Sequence, residues 1–182
     1  MFVSVLSTLY LFYLKGEPPL PAILCMYLLV TSWLTVSRPV GIVSKLDVCL
    51  TGVISIISVG LFIYAYCVKH AMIDGFGVPA SIFFIFSGLA GLCAVLDIHM
   101  IVRKGVWGRQ RIIRHLWRML MALFLAMMAV AAQKNVYPQW MIESKVMVLP
   151  LFFILVLLVF WVFRVAATDW WERVSKDSTP FT

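Results

Sequence analysis

Six apolar runs separated by short polar interruptions set the framework of the chain. Their spacing predicts helices over residues 2–14, 21–36, 48–68, 80–98, 112–132 and 146–165. The interruptions have identifiable causes. Lys15-Gly16-Glu17-Pro18-Pro19-Leu20-Pro21 stops the first run, and its prolines suit the first turn of the next helix. Arg38-Pro39 with Gly41 ends the second, because a proline disfavours the α conformation in the residue before it. Gly75, Gly77 and Pro79 divide the third from the fourth, and Pro138 lies in the break before the sixth. Within the runs, Thr51, Gly52, Ser55, Ser58 and Gly60 on one helix, and Ser87, Gly88, Gly91 and Ala94 on the next, supply small faces of the kind along which helices pack closely.

The length of the runs decides what they can cross. Most match a hydrocarbon layer of about 30 Å. The first, from Phe2 to Leu14, would cover only about 20 Å as a helix. It spans with help from its neighbours, or it is the remnant of a longer helix. Composition agrees: 63% of residues are hydrophobic and 13% charged, with a mean hydropathy of +1.01. That is more apolar surface than a soluble fold of 182 residues can hide. The fold class is therefore an all-α, polytopic transmembrane bundle of six helices, or five if the first does not span. Residues 1–165 form one transmembrane helical domain, and 166–182 form a cytoplasmic tail, interfacial at Trp170 and Trp171 and disordered beyond.

Charge adds orientation rather than a ligand. A net charge of +7 would suggest nucleic acid in a soluble protein, but here the cations sit in short loops between apolar runs, so no nucleic-acid partner is expected. With six spanning runs, Arg38, Lys45, Arg103, Lys104, Arg109, Arg111, Arg114, Arg118, Arg164, Arg173 and Lys176 share one side. Lys15, Lys69, Lys134 and Lys145 share the other. The richer side is cytoplasmic, which places both termini there. Tyr137 and Trp140, and Trp161 towards the opposite face, stand at positions expected for interfacial aromatics. The N-terminal run lacks a basic flank before it and a small-residue cleavage site after it, so a cleaved signal peptide is not expected. Cys25, Cys49, Cys67 and Cys93 have neither CxxC spacing nor histidines at ligand spacing, and read as small apolar side chains.

One segment departs from this plan. Residues 97–119 hold six of the fifteen Lys and Arg residues and two of the three His. At helical spacing Arg111, His115, Arg118, Met119, Ala122, Ala126 and Ala129 form a stripe, polar at one end and small at the other. Asp97, in the last turn of the fourth predicted helix, falls level with His115 and Arg118. A carboxylate at the membrane boundary needs a partner, so Asp97 and Arg118 are expected to lock the hairpin between the fourth and fifth helices. A sharper reading makes Asp97, His115 and Arg118 a proton-responsive or anion-binding site, since histidine titrates near neutral pH. Arg103, Lys104, Arg109, Arg111 and Arg114 are expected to contact anionic lipid head groups on the cytoplasmic face. No cofactor or metal is expected: His99 and His115 fall at one membrane edge and His70 at the other, which does not suit axial ligation of a haem.

The pattern Asp97, a basic loop, Arg114-His115-Leu116-x-Arg118-Met119-x-x-Ala122-x-x-x-Ala126-x-x-Ala129, then Asn135 and Leu149-Pro150, resembles a family of bacterial multi-pass membrane proteins, the DUF2306-type predicted membrane proteins. Arg38-Pro39 followed by Leu46-Asp47 is similar to the same family. The resemblance implies a helical fold in the bacterial cytoplasmic (inner) membrane, and the family carries no established activity to transfer. The chain departs from it in lacking the upstream helices with a Lys-Gly and His motif. It also has Leu123, Met128 and Val130 where aromatic and hydroxyl residues are expected.

No GxSxG, HExxH, P-loop or paired-carboxylate motif is present, which argues against an enzyme. The central parts of the second to sixth predicted helices lack ionisable residues, unlike a transport path. The expectation is a non-enzymatic membrane protein acting through lipids, a protein partner or a second copy of itself, with a small transporter or proton- or anion-responsive sensor as the alternative.

Overall fold

The computed structural model describes residues 20–39, 41–75, 77–131, 146 and 148–167. The predicted helix over 2–14, Asn135, Tyr137, Trp140 and the tail beyond Ala167 lie outside the described residues. Among the described residues there are five helices: α1 Leu20–Ser37, α2 Lys45–Lys69, α3 Ala80–Val102, α4 Gly108–Ala131 and α5 Val148–Ala167. Each is long and apolar enough to cross a membrane, and among the described residues there is no strand.

The helix ends differ from the sequence expectation in an instructive way. α2 begins at Lys45 rather than 48, because Ser44 caps it. The Ser44 hydroxyl accepts from the Leu46 N–H at 3.2 Å, and the Ser44 N–H donates to the Asp47 carboxylate at 2.9 Å. This is a capping box that satisfies otherwise orphaned donors. α3 runs to Val102 rather than 98, and α4 starts at Gly108 rather than 112. Charge does not stop a helix, since Arg and Lys are good helix formers; glycine and positive φ do. α3 ends with Lys104 at φ 57° and Gly105 at φ 119°. Lys104 N–H donates to Ile101 C=O and Gly105 N–H to Met100 C=O, both at 3.0 Å, a Schellman closure. The expected broad basic loop therefore shrinks to residues 103–107. α5 starts two residues later and ends two later than expected, with Pro150 tolerated in its first turn.

The described residues divide into two compact units. The first holds Leu20–Tyr27 of α1 with α2 and α3; the second holds the rest of α1 with α4 and α5.

In the first unit α2 packs antiparallel on α3. Their pairings run in opposite directions along the two helices. Ser58 exchanges hydrogen bonds with Ser87, and Phe62 meets Phe84 and Tyr64 meets Phe83, with ring centroids 5.5 and 4.9 Å apart. Ile54, Ala65, Phe83, Ala90 and Cys93 are buried. The predicted small-residue faces are only partly used here. A Cβ on Gly91 would lie 3.1 Å from the Ser58 Oγ, but Cβ atoms on Gly52, Gly60 or Gly88 would meet nothing within 4 Å. Where the chain leads into α2, Gly41 lies against Gly105 at the end of α3, so close that a Cβ on Gly105 would sit 2.8 Å from Gly41 Cα.

In the second unit α4 packs on α5. The buried stripe of α4 is Arg114, Arg118, Ala122 and Leu125, with Ile154 of α5 also buried. The predicted stripe keeps Arg118 and Ala122 but is turned by roughly 50°, half the step between successive residues. Met119, Ala126 and Ala129 face outward, and Arg114 and Leu125 are covered instead.

Candidate functional site

In an apolar helix each polar side chain must find a partner, and these partners reveal what the polar residues do. In the first unit Asp97 stands five residues before the end of α3, not in its last turn, and is 1% exposed. The hydroxyl of Tyr27 on α1 donates to its carboxylate.

The second unit holds a larger arrangement between α1 and α4. Arg111 forks onto the C-terminal end of α1. Its Nε donates to Thr35 C=O at 2.7 Å, and its Nη2 to Val36 C=O at 2.7 Å and Arg38 C=O at 2.6 Å. The last carbonyls of a helix have no intrahelical donor and carry partial negative charge, so a guanidinium is a fitting cap. Two residues earlier, Arg109 Nη1 donates to Ala166 C=O at 2.8 Å in the last turn of α5. Residues two apart on a helix point to opposite sides. The first turn of α4 therefore holds the C-terminal ends of α1 and α5 by separate arginine arms.

One turn deeper, His115 and Ser32 bond reciprocally. His115 Nδ1 lies 2.8 Å from the Ser32 Oγ and 3.2 Å from the Ser32 C=O, while the Ser32 hydroxyl donates to the His115 C=O at 3.1 Å. A carbonyl oxygen can only accept, so a bare Nδ1 lone pair beside it would be repelled. We therefore assign the hydrogen to Nδ1, which satisfies both serine acceptors and leaves the hydroxyl hydrogen for the His115 carbonyl. Nε2 is then the open nitrogen of the ring.

Of the three residues singled out from sequence, Asp97 belongs to the first unit, and His115 and Arg118 to the second. Arg118 is fully buried and is the eleventh residue of the 24 in α4. Any 18-residue stretch of that helix contains it. The absence of charge from helix centres, expected from the shorter boundaries, does not hold for α4. The five expected lipid contacts also divide: Arg109 and Arg111 cap helix ends, Arg114 is 9% exposed, and Arg103 and Lys104 are exposed. Tyr27, Thr31, Ser32 and Thr35 were not singled out. Their signal was hydroxyl groups at helical spacing within an apolar run; Thr31 and Thr35 bond carbonyls of α1 itself, at 3.2 and 2.7 Å.

Among the described residues no group of three or more His, Cys, Asp or Glu is placed to hold a metal ion. Comparison with protein-family models, curated proteins and solved structures found no match.

Proposed function

We propose that the chain is a multi-pass protein of a bacterial cytoplasmic membrane, with six helices, or five if the first run does not span, and both termini cytoplasmic, that acts through lipids or a protein partner, a second copy included, rather than as an enzyme. The likeness to DUF2306-type proteins is part of the same reading. One observation carries it: several of the polar side chains within the helices are engaged in holding the protein together. Ser58 pairs with Ser87, Ser32 with His115 and Tyr27 with Asp97, Arg109 and Arg111 hold helix ends, and many large apolar side chains of the described residues are exposed. Purification of the full chain in mild detergent, with identification of co-purifying lipid and protein, tests it. A defined companion is expected, and a monodisperse chain with nothing bound would count against it.

A second reading, a small transporter or a proton- or anion-responsive sensor using Asp97, His115 and Arg118, draws on the burial of a carboxylate and a guanidinium within long apolar helices. Intramembrane ionisable groups are costly and commonly functional. Asp97→Asn and Arg118→Gln, singly and together, test the coupling that either role requires. Strictly additive losses of stability would remove it, and proton or anion flux in vesicles would separate a transporter from a hairpin lock.

A further inference from the structure

We propose that Lys45, Arg103 and Lys104 form a seat for the head group of an anionic lipid carrying two phosphates. This rests on the reading of the chain as a membrane protein with lipid partners, and names the site.

Among the cations of the described residues two classes can be told apart. Arg38, Arg109, Arg111, Arg114 and Arg118 all have interactions within the protein. Lys45, Arg103 and Lys104 are exposed, and among the described residues nothing engages their side chains. All three lie in the first unit. The antiparallel pairing of α2 and α3 puts the first residue of α2 at the same end as the last turn of α3. The backbone approach of Gly105 to Gly41 then draws the two connecting segments together. The nearby carboxylate of Asp47 accepts the Ser44 N–H in the cap of α2.

A cation that only set orientation could stand anywhere in such a loop. Lys104 instead occupies the left-handed position of the Schellman closure, at φ 57°, where glycine is favoured. Three unengaged cations at the edge of a membrane-crossing helix pair exceed what one phosphodiester neutralises, so a head group with two phosphates is the matching charge.

The test titrates the purified full chain with cardiolipin, phosphatidylglycerol and phosphatidylcholine, reading bound lipid by native mass spectrometry, with inorganic pyrophosphate as competitor. Cardiolipin is expected to bind tightest and phosphatidylcholine weakest, with pyrophosphate displacing it only in large excess. Each cation replaced by glutamine should weaken cardiolipin by about fivefold, the equivalent of about 1 kcal/mol. Lys45→Gln, Arg103→Gln and Lys104→Gln together should approach a hundredfold, while Lys69→Gln at the other end of α2 changes nothing. If the triple variant does not fold, the single variants carry the same expectation, and Lys104→Arg should retain binding. Unchanged cardiolipin affinity in the variants, an equal loss from Lys69→Gln, or pyrophosphate binding as tightly as the lipid would overturn the seat. A wild-type chain that keeps a protein partner yet shows no cardiolipin preference overturns the seat alone; one with neither removes the broader reading as well.

Discussion

The pair α2–α3 and the group around α4 are joined by different chemistry. α2 and α3 meet at mid-helix through apolar side chains and one reciprocal serine pair, with hydrogen bonds of 3.0 and 2.9 Å between neutral groups. α4 is joined to α1 and α5 at its first turns by guanidinium groups on carbonyl ends. The difference follows from where charge is tolerable. In the middle of an apolar helix a neutral pair satisfies itself and leaves no field, and is worth about 0.6 kcal/mol. At a helix end the orphaned carbonyls and the dipole reward a cation, and each charge-assisted bond contributes about 1.5–3 kcal/mol. The first joint is made by shape, the second by a few strong bonds.

The largest effect is expected at Arg111. Arg111→Ala should destabilise the detergent-solubilised chain by about 3 kcal/mol, since three carbonyls lose their donor. Arg111→Lys should recover less than half, because an ammonium cannot fork to all three. Denaturant unfolding measures both, and a loss no greater than that of Ser58→Ala would erase the distinction between the joints. Gly105→Ala should cost about 2–3 kcal/mol, combining a φ of 119° with a Cβ forced to 2.8 Å from Gly41 Cα and C. The same measurement should show little change for Gly52→Ala, whose added methyl meets nothing. A smaller effect belongs to the serine pair. Ser58→Ala and Ser87→Ala should each cost under about 1 kcal/mol, with a coupling near 0.6 kcal/mol in a double-mutant cycle.

Apolar runs located α1 to α5 within a few residues, because hydropathy and proline signals act locally. The ends of α2, α3 and α4 differ from those of the apolar runs because helices continue into polar residues until a cap or a glycine stops them, and Ser44, Gly105 and Gly108 set the boundaries. For the candidate site, burial of Asp97 and Arg118 was foreseeable from the expense of charge in an apolar helix. The partners of His115 and Arg111 were not. Ser32 and the carbonyls of Thr35, Val36 and Arg38 lie more than 70 residues away, and a backbone carbonyl has no sequence signature. Arg109 and Arg111 were grouped with lipid-facing cations on charge alone, and only geometry separates a helix cap from a head-group contact.

The smallest expected change is the most discriminating. α2 and α3 end in the same Schellman closure, with Ala71 at φ 53° in one and Lys104 at φ 57° in the other. Each non-glycine residue in the left-handed region costs about 1 kcal/mol, partly offset in a glycine variant by the freer unfolded chain. Ala71→Gly and Lys104→Gly should therefore each stabilise by about 0.5 kcal/mol, read as a small rise in the unfolding midpoint. If Lys104 only closes a helix, the two substitutions should be equivalent in every assay. If it also holds a phosphate, Lys104→Gly should raise stability while lowering cardiolipin affinity, and Ala71→Gly should raise stability alone. A paired gain and loss at one position and not at its geometric twin would separate a binding role for the lysine from a role in helix termination.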